Sequence, residues 1–387
     1  MSRSNDAGHF FQTTSALNES ARKASKSQNT KGNPIKLPSK ILAVLADPEN
    51  ASQIYIAEAA GNVKKINIET DDILSTFSGP TAPLTSLAVS PATSTLYAGS
   101  WDKSIWSWSL RTRKPALRFA AHTDFVKALL ALRIHDTHLL VSGSADASII
   151  VWDASTGEKL HTLKGHTRGV LHLALDPETY PPDADVNVVT VFSAGSDREI
   201  RRWSVGREAA GEIQGADGVP APVVAHETSV FAACFDGAGD LWSASADKTA
   251  RCLARARGFE ADTELVHPDF VRGVVVDEVG GWVVTACRDE EVRVWEKGSG
   301  ELHHLFEGHY EEVTGIVLLE GQRVVSVSID GTVRRWSLKA AELAKAIKEA
   351  EDERAGKIQE VEAGEKQEGL MTVEEEAELA ELMEDSD

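Results

Sequence analysis

The sequence predicts an all-β fold: a seven-bladed propeller of four-stranded blades, followed by a short acidic extension with helical character. Two observations carry that reading. A short motif recurs along the chain at intervals of 41–51 residues, and each interval divides into strand-like runs separated by turn residues. A third observation, an abrupt change of composition after Trp336, marks where the propeller ends.

The segment SGSADASIIVWD at 142–153 serves as the template. It matches GSWDKSIWSW at 99–108, SAGSDREIRRW at 193–203, TACRDEEVRVWE at 285–296 and SVSIDGTVRRW at 326–336. SASADKTARCL at 243–253 is a weaker match. In each, an Asp (Asp102, Asp146, Asp197, Asp247, Asp289, Asp330) is followed six residues later by Trp108, Trp152, Trp203, Leu253, Trp295 or Trp336. The Asp positions lie 44, 51, 50, 42 and 41 residues apart. A degenerate seventh copy, AGNVKKI at 60–66, aligns with DGTVRRW at 330–336. Seven units of about 42 residues then span 41–339.

The third unit shows the strands most clearly: FVKALLAL, HLLVSGS, SIIVWD and EKLHTLK, with DAS and ASTG as turns between the later ones. So many short antiparallel strands cannot form one flat sheet. Radial packing of four-stranded blades buries both faces of each blade and leaves only short edges.

Composition excludes several classes. The 387 residues carry a net charge of −20, against a binder held by nucleic-acid phosphates. No apolar run is long enough to span a membrane, and the first residues, MSRSNDAGHFF, lack a secretory apolar core. Cys234, Cys252 and Cys287 have no paired metal-ligand spacing and suit a reducing compartment, the cytoplasm or nucleus. His135 and His138 share one segment without further ligands, so no metal or cofactor is expected. Charge is uneven: residues 1–40 hold seven bases and two acids, whereas 340–387 hold 17 acids and 5 bases.

The units resemble WD40 repeats, with GH before the first strand, Ser/Thr-x-x-x-Asp at a turn, and endings such as the VWD at 151–153. The resemblance covers about three quarters of the chain. It implies that four recurring sets form hydrogen-bonded chains inside the blades: His122, Ser142, Asp146, Trp152; His166, Ser193, Asp197, Trp203; His267, Thr285, Asp289, Trp295; and His309, Ser326, Asp330, Trp336. A catalytic triad would use the same residue types, but an enzyme needs one such set, and a set repeated at blade spacing reads as architecture. Unit five has Leu253 in place of Trp, and unit two has Ala98 and Pro80 in the Ser and His places.

The resemblance also implies that residues three and five positions after the His, and the residue before the turn Asp, surface on one face around the channel. In this chain the rule selects the aromatics and cations Trp101, Phe125, Lys127, Phe231, Phe270, Arg272 and Arg288, together with Leu171. The echo between HTDFVKALL at 122–130 and HPDFVRGVV at 267–275 places two of the aromatic–cation pairs at equivalent positions. Aromatics and Arg are enriched at binding hot spots. Such a ring suits an acidic or phosphorylated peptide.

After Trp336 the chain runs directly into SLKAAELAKAIKEAEDERAGKIQEVEAG, where Ala340, Leu343, Ala344 and Ile347 recur at helical spacing. The last blade therefore lacks a fourth strand of its own. A strand near Ile35–Leu37, or alternatively FFQTT at 10–14, is expected to supply it, with residues 1–33 otherwise disordered, the propeller at 34–339 and an acidic, partly helical tail at 340–387. Within the tail, MTVEEEAELAELMEDSD is a second helix candidate. Two segments, 176–187 and 206–224, exceed hairpin length.

The expected function is a noncatalytic protein-interaction scaffold within a larger complex. Two alternatives stand beside it. One is a substrate receptor of a cullin-RING ubiquitin ligase, although Trp108-Ser109-Leu110-Arg111 lacks the Asp and Trp152-Asp153 lacks the Arg of the Trp–Asp–x–Arg ending. The other is an assembly factor holding basic clients on the acidic tail.

Overall fold

The computed structural model describes residues 14–180, 186–215, 219 and 221–368. Residues 41–337, with a short segment near the N-terminus, form seven four-stranded antiparallel sheets. Blades 1 to 7 occupy 41–77, 84–120, 126–164, 170–212, 230–266, 271–307 and 313–337. The first strand of each blade lies against the first strands of both neighbours, and Val313–Leu319 against Ile41–Ala46 closes the ring. Among the described residues, no helix is long and apolar enough to cross a membrane.

Burial follows position in the blade. The third strand of blade 3, Ser148–Asp153, is buried from Ile149 onward because neighbouring blades cover both of its faces. The outer strand of blade 2, Pro115–Ala120, buries Phe119 alone. Continuous apolar runs thus mark inner strands, and mixed runs mark the outer ones.

Two backbone devices repeat in all seven blades. The residue after the turn Asp, or its equivalent in blade 1, has a left-handed φ of 65–80° at Gly61, Lys103, Ala147, Arg198, Lys248, Glu290 and Gly331. The Asp carboxylate holds the turn from its own side chain: Asp330 Oδ1, for example, accepts from the Thr332 amide at 2.7 Å. The other device is a β-bulge one residue into each first strand, at Leu42, Thr85, Lys127, Leu171, Phe231, Arg272 and Thr314. A bulge leaves one residue out of the pairing ladder and re-aims its side chain.

Strand β1 (Ile35–Lys36) completes blade 7 by pairing Ile35 with Val333 and Lys36 with Thr332. The segment before it is tied down by Arg334, whose guanidinium donates to the carbonyls of Asn29 and Lys31. Gly32 lies against Trp336, where a Cβ would sit 2.7 Å from the indole.

The expectation of disorder through residue 33 is corrected from residue 14 onward. Residues Thr14–Lys26 form helix α1, held by ion pairs to blades 6 and 7. The fourth strand of blade 7 is Ile35–Lys36; of FFQTT, Thr14 begins α1 and residues 10–13 lie outside the described residues. The long segment 206–224 is partly regular, since Ala210–Glu212 forms the outer strand of blade 4 and Ile200 bridges Val223.

The chain after Ser337, described through residue 368, is a unit separate from the propeller. Its helix α2 (Ala340–Glu368) has Glu342 in the first turn, and the second helix candidate, 371–387, falls outside the described residues.

Candidate functional site

The recurring Ser, His, Asp and Trp sets lie inside the blades. In blade 3, the Trp152 indole donates to Ser142 Oγ at 2.8 Å. Ser142 Oγ lies 2.8 Å from His122 Nε2, and His122 Nδ1 lies 3.0 Å from the Asp146 carboxylate. Blades 4 and 7 repeat this chain through His166 and His309. Blade 5 keeps His226, Ser243 and Asp247 without the indole. All five of these Ser and Thr hydroxyl residues, including Thr285 of blade 6, are fully buried. Buried polar groups joined end to end are satisfied as architecture, and no serine here is presented to a substrate.

Blade 6 departs from the expected set. His267 Nε2 meets Thr285 at 2.8 Å, but Nδ1 turns to the Leu265 carbonyl at 3.0 Å. Asp289 is taken by Arg293, four residues on, through two hydrogen bonds of 3.1 and 2.6 Å. The guanidinium outcompetes the imidazole because a charged bidentate pair is the stronger interaction. In blade 2, which has no His, the Trp106 indole donates to Asp102 at 2.9 Å.

Electrostatics agree with this. Burial raises the cost of the Asp146 charge, yet hydrogen bonds from Ser148 and the Thr123 amide win and hold its carboxyl down to about 2. Burial pushes the His267 imidazole down to about 4, so it is neutral at physiological pH. His166, Asp197 and Glu199 are the one group with metal-ligand spacing found among the described residues. Their donor atoms are already engaged: His166 and Asp197 with each other, Glu199 with Arg201.

The ring positions are a different matter. In every blade the residue before the turn Asp, or its blade 1 equivalent, donates its amide to the carbonyl of the residue two before the bulge. Examples are Ala145 to Phe125 at 2.9 Å and Arg288 to Phe270 at 2.8 Å. That bond brings the turn beside the start of the first strand, and the bulge aims the next residue into the channel. Lys127, Leu171, Phe231 and Arg272 are bulge residues, and all four line a channel cavity of about 440 Å³. Of the other bulge residues, Thr85 and Thr314 donate to the carbonyls of Val126 and Ile41, tying blades together.

The eight expected ring residues fall into two clusters plus Leu171. Trp101 and Phe125 stack across blades 2 and 3, with centroids 5.0 Å apart and planes 13° apart. Lys127 Nζ lies 5.3 Å from the Trp101 ring and 5.7 Å from the Phe125 ring. Across blades 5 and 6, Phe231 and Phe270 are 6.4 Å apart. Arg272 covers Phe231 at 4.3 Å and Arg288 covers Phe270 at 5.1 Å. The echoed motif therefore builds one aromatic–cation cluster at each of its two sites.

The clusters are not equivalent. Arg272 donates to Glu312, so its charge is partly spent. Lys127 makes no ion pair among the described residues. Burial and then the Arg272 charge push its ammonium below the ordinary value, with Asp124 working against them. An acceptor arriving at Lys127 would meet a cation that lacks a counter-charge.

Sequence reasoning did not find the pairing of Arg272 with Glu312, nor the Glu290 and Glu311 carboxylates under α1. Both are ion pairs across blades or across the whole chain, and the repeat pattern carries no signal for them.

Comparison with known proteins fits this geometry. The WD domain, G-beta repeat, is matched at residues 71–109, 113–153, 157–204, 263–296 and 300–337. A WD repeat-containing protein of Schizosaccharomyces pombe is 34% identical over 350 residues, covering 87% of this chain and 90% of that protein. Pre-mRNA-processing factor 19 of Mus musculus is 27% identical over 53% of this chain, and nuclear distribution protein nudF of Aspergillus niger is 29% identical over 49%. These alignments span 38% and 40% of those two proteins. On its seven blades, its internal hydrogen-bonded sets and these matches, the chain belongs to the WD repeat family.

Proposed function

We propose that this protein is a noncatalytic scaffold that binds an acidic or phosphorylated peptide at the channel mouth, as a subunit of a larger complex. The observation that carries the reading is Lys127: a half-buried cation without an ion-pair partner, set over the stacked Trp101 and Phe125 rings and close enough to Arg272 to feel its charge. Trp101, Phe125, Phe231, Phe270, Arg272 and Arg288 would hold the peptide's flanking side chains, and Leu171 its apolar contact at the channel wall. The curated relatives with names tied to pre-mRNA processing and to nuclear distribution serve different processes, which supports presentation rather than one shared reaction. A cytoplasmic or nuclear setting goes with this reading, as do the three free cysteines.

The ubiquitin-ligase receptor reading would reserve the Trp152-Asp153 ending for an outside partner. Here the Asp153 carboxylate serves its own turn and Arg207, accepting from the Ser155 and Thr156 amides and the guanidinium. The assembly-factor reading rests on the acidic tail, of which residues 369–387 lie outside the described residues.

The test is a peptide array of Asp, Glu and phosphoserine sequences, each paired with its Asn, Gln or Ser counterpart. The wild-type chain should select the charged members and Lys127→Met should lose that selection by about tenfold, the worth of one charge-assisted contact. Selection unaffected by Lys127→Met would refute the site.

A further inference from the structure

Helix α1 is joined to the propeller by charge and not by apolar burial. Among its described side chains, 17–26, none is buried, and Leu17 is 49% exposed. Contrast β1, where Ile35 is buried in a blade core. What holds α1 is charge. Arg22 reaches Glu290 at 2.6 and 2.8 Å, Lys26 reaches Glu290 at 2.8 Å, and Lys23 reaches Glu311 at 2.7 Å.

The surface beneath is acidic by construction. Asp289, Glu290 and Glu291 are consecutive at the blade 6 turn, and Glu291 sits directly across the sheet from Glu307. Like charges opposed across a strand pair are destabilising. Glu291 Oε2 is buried without a hydrogen-bond partner, and the nearest described cation, Lys26, stands 3.9 Å from the other oxygen. The Glu290 side chain is only 9% exposed and sits in a left-handed turn. Burial alone would raise its carboxyl, but Arg22 and Lys26 hold it below the ordinary value. An acidic notch of this kind calls for a cationic cover, and the cover present buries no apolar side chain among residues 17–26.

We infer that the notch formed by Glu290, Glu291, Glu307 and Glu311 on blades 6 and 7 is a docking site for a basic helix of a partner protein, occupied in cis by α1. The spacing of Arg22, Lys23 and Lys26 defines what the site reads: cations at positions i, i+1 and i+4 of one helix face. The cations of these pairs are 31–43% exposed, so water and salt reach the contacts and α1 is exchangeable where a core strand is not. The site adjoins the channel mouth, since Glu290 stands two residues after Arg288 and Glu311 precedes Glu312, the partner of Arg272, but it has the opposite charge preference. The protein thus offers an acceptor of acidic peptides and, beside it, an acceptor of basic helices.

The test uses the full chain carrying Arg22→Glu, Lys23→Glu and Lys26→Glu, which turns α1 away from the notch. A labelled peptide of sequence 14–28, TSALNESARKASKSQ, is the probe, read by fluorescence anisotropy. It should bind the reversed chain on the order of tenfold or more tighter than wild type, and weaken steeply with salt. Adding Glu290→Lys and Glu311→Lys should abolish it. Should the reversed chain melt below wild type, the Ala triple variant replaces it. Equal binding to wild type and to a folded variant, or binding to neither, overturns the proposal. A wild-type dimer that dissociates on Glu290→Lys would assign the notch to the α1 of a second copy, and would also overturn it.

Discussion

Ser142 and Ser243 occupy equivalent places in blades 3 and 5, and together they offer a measurement of one buried indole. Ser142 Oγ bridges the Trp152 indole and His122 Nε2, each at 2.8 Å. Ser243 Oγ meets His226 Nε2 at 2.7 Å but has no indole, because Leu253 stands at the tryptophan position. Each also reaches a strand carbonyl at 3.4 Å, a term common to both. Ser142→Ala therefore orphans two buried polar groups, whereas Ser243→Ala orphans one. At about 1–3 kcal/mol for each buried group left unpaired, the first should cost about 2–6 kcal/mol and the second about 1–3. For roughly 300 ordered residues, 1 kcal/mol corresponds to about 1.5 °C in Tm. The expected drops are about 3–9 °C and about 1.5–4.5 °C, the first about twice the second, measured by calorimetry at one scan rate. Equal drops, or a larger one for Ser243→Ala, would refute the argument that the hydroxyl carries the indole.

Further outcomes follow from the same geometry. Burial pushes His172 and His267 down to about 4, so the unfolded chain takes up protons first as pH falls. Their stabilisation is complete above about 6.5 and is lost from there toward 4, on the order of 3 kcal/mol each. Asp146 and Asp197, held at about 2, extend the loss below about 4 by the same sign rule. A urea midpoint that stays flat between pH 7 and 4.5 would contradict this. Gly32→Ala places a Cβ 2.7 Å from Trp336 at a φ of +69°, while Gly281→Ala has the same φ and open space. Gly281→Ala should cost about 1 kcal/mol, the left-handed penalty alone, and Gly32→Ala at least about 2; matching losses in chemical denaturation would show that the closing segment does not bear on Trp336.

Much of the fold was legible because a propeller writes its geometry once per blade. The Asp-to-Trp spacing, the missing fourth strand after Trp336 and the loss of the indole at Leu253 could all be read from residue order. Side chains that compete for one partner could not. Asp289 fits the repeat, yet Arg293, four residues on in the strand that follows the turn, takes its carboxylate. The ring positions were legible as a rule, but their reason was not: a bulge exists only once a register exists. Helix α1 was missed because it is secured by Glu290 and Glu311, more than 260 residues away, with no apolar stripe to announce it.

On the reading proposed above, the echoed motif builds a binding surface and not only blade packing. Paired affinity purification with mass spectrometry tests this directly, using the intact chain and a variant with Phe125→Ala, Lys127→Ala, Phe270→Ala and Arg272→Ala, matched for melting. At least one partner retained by the intact chain should be lost from the folded variant. Retention of every partner would place these residues in blade packing and contradict it.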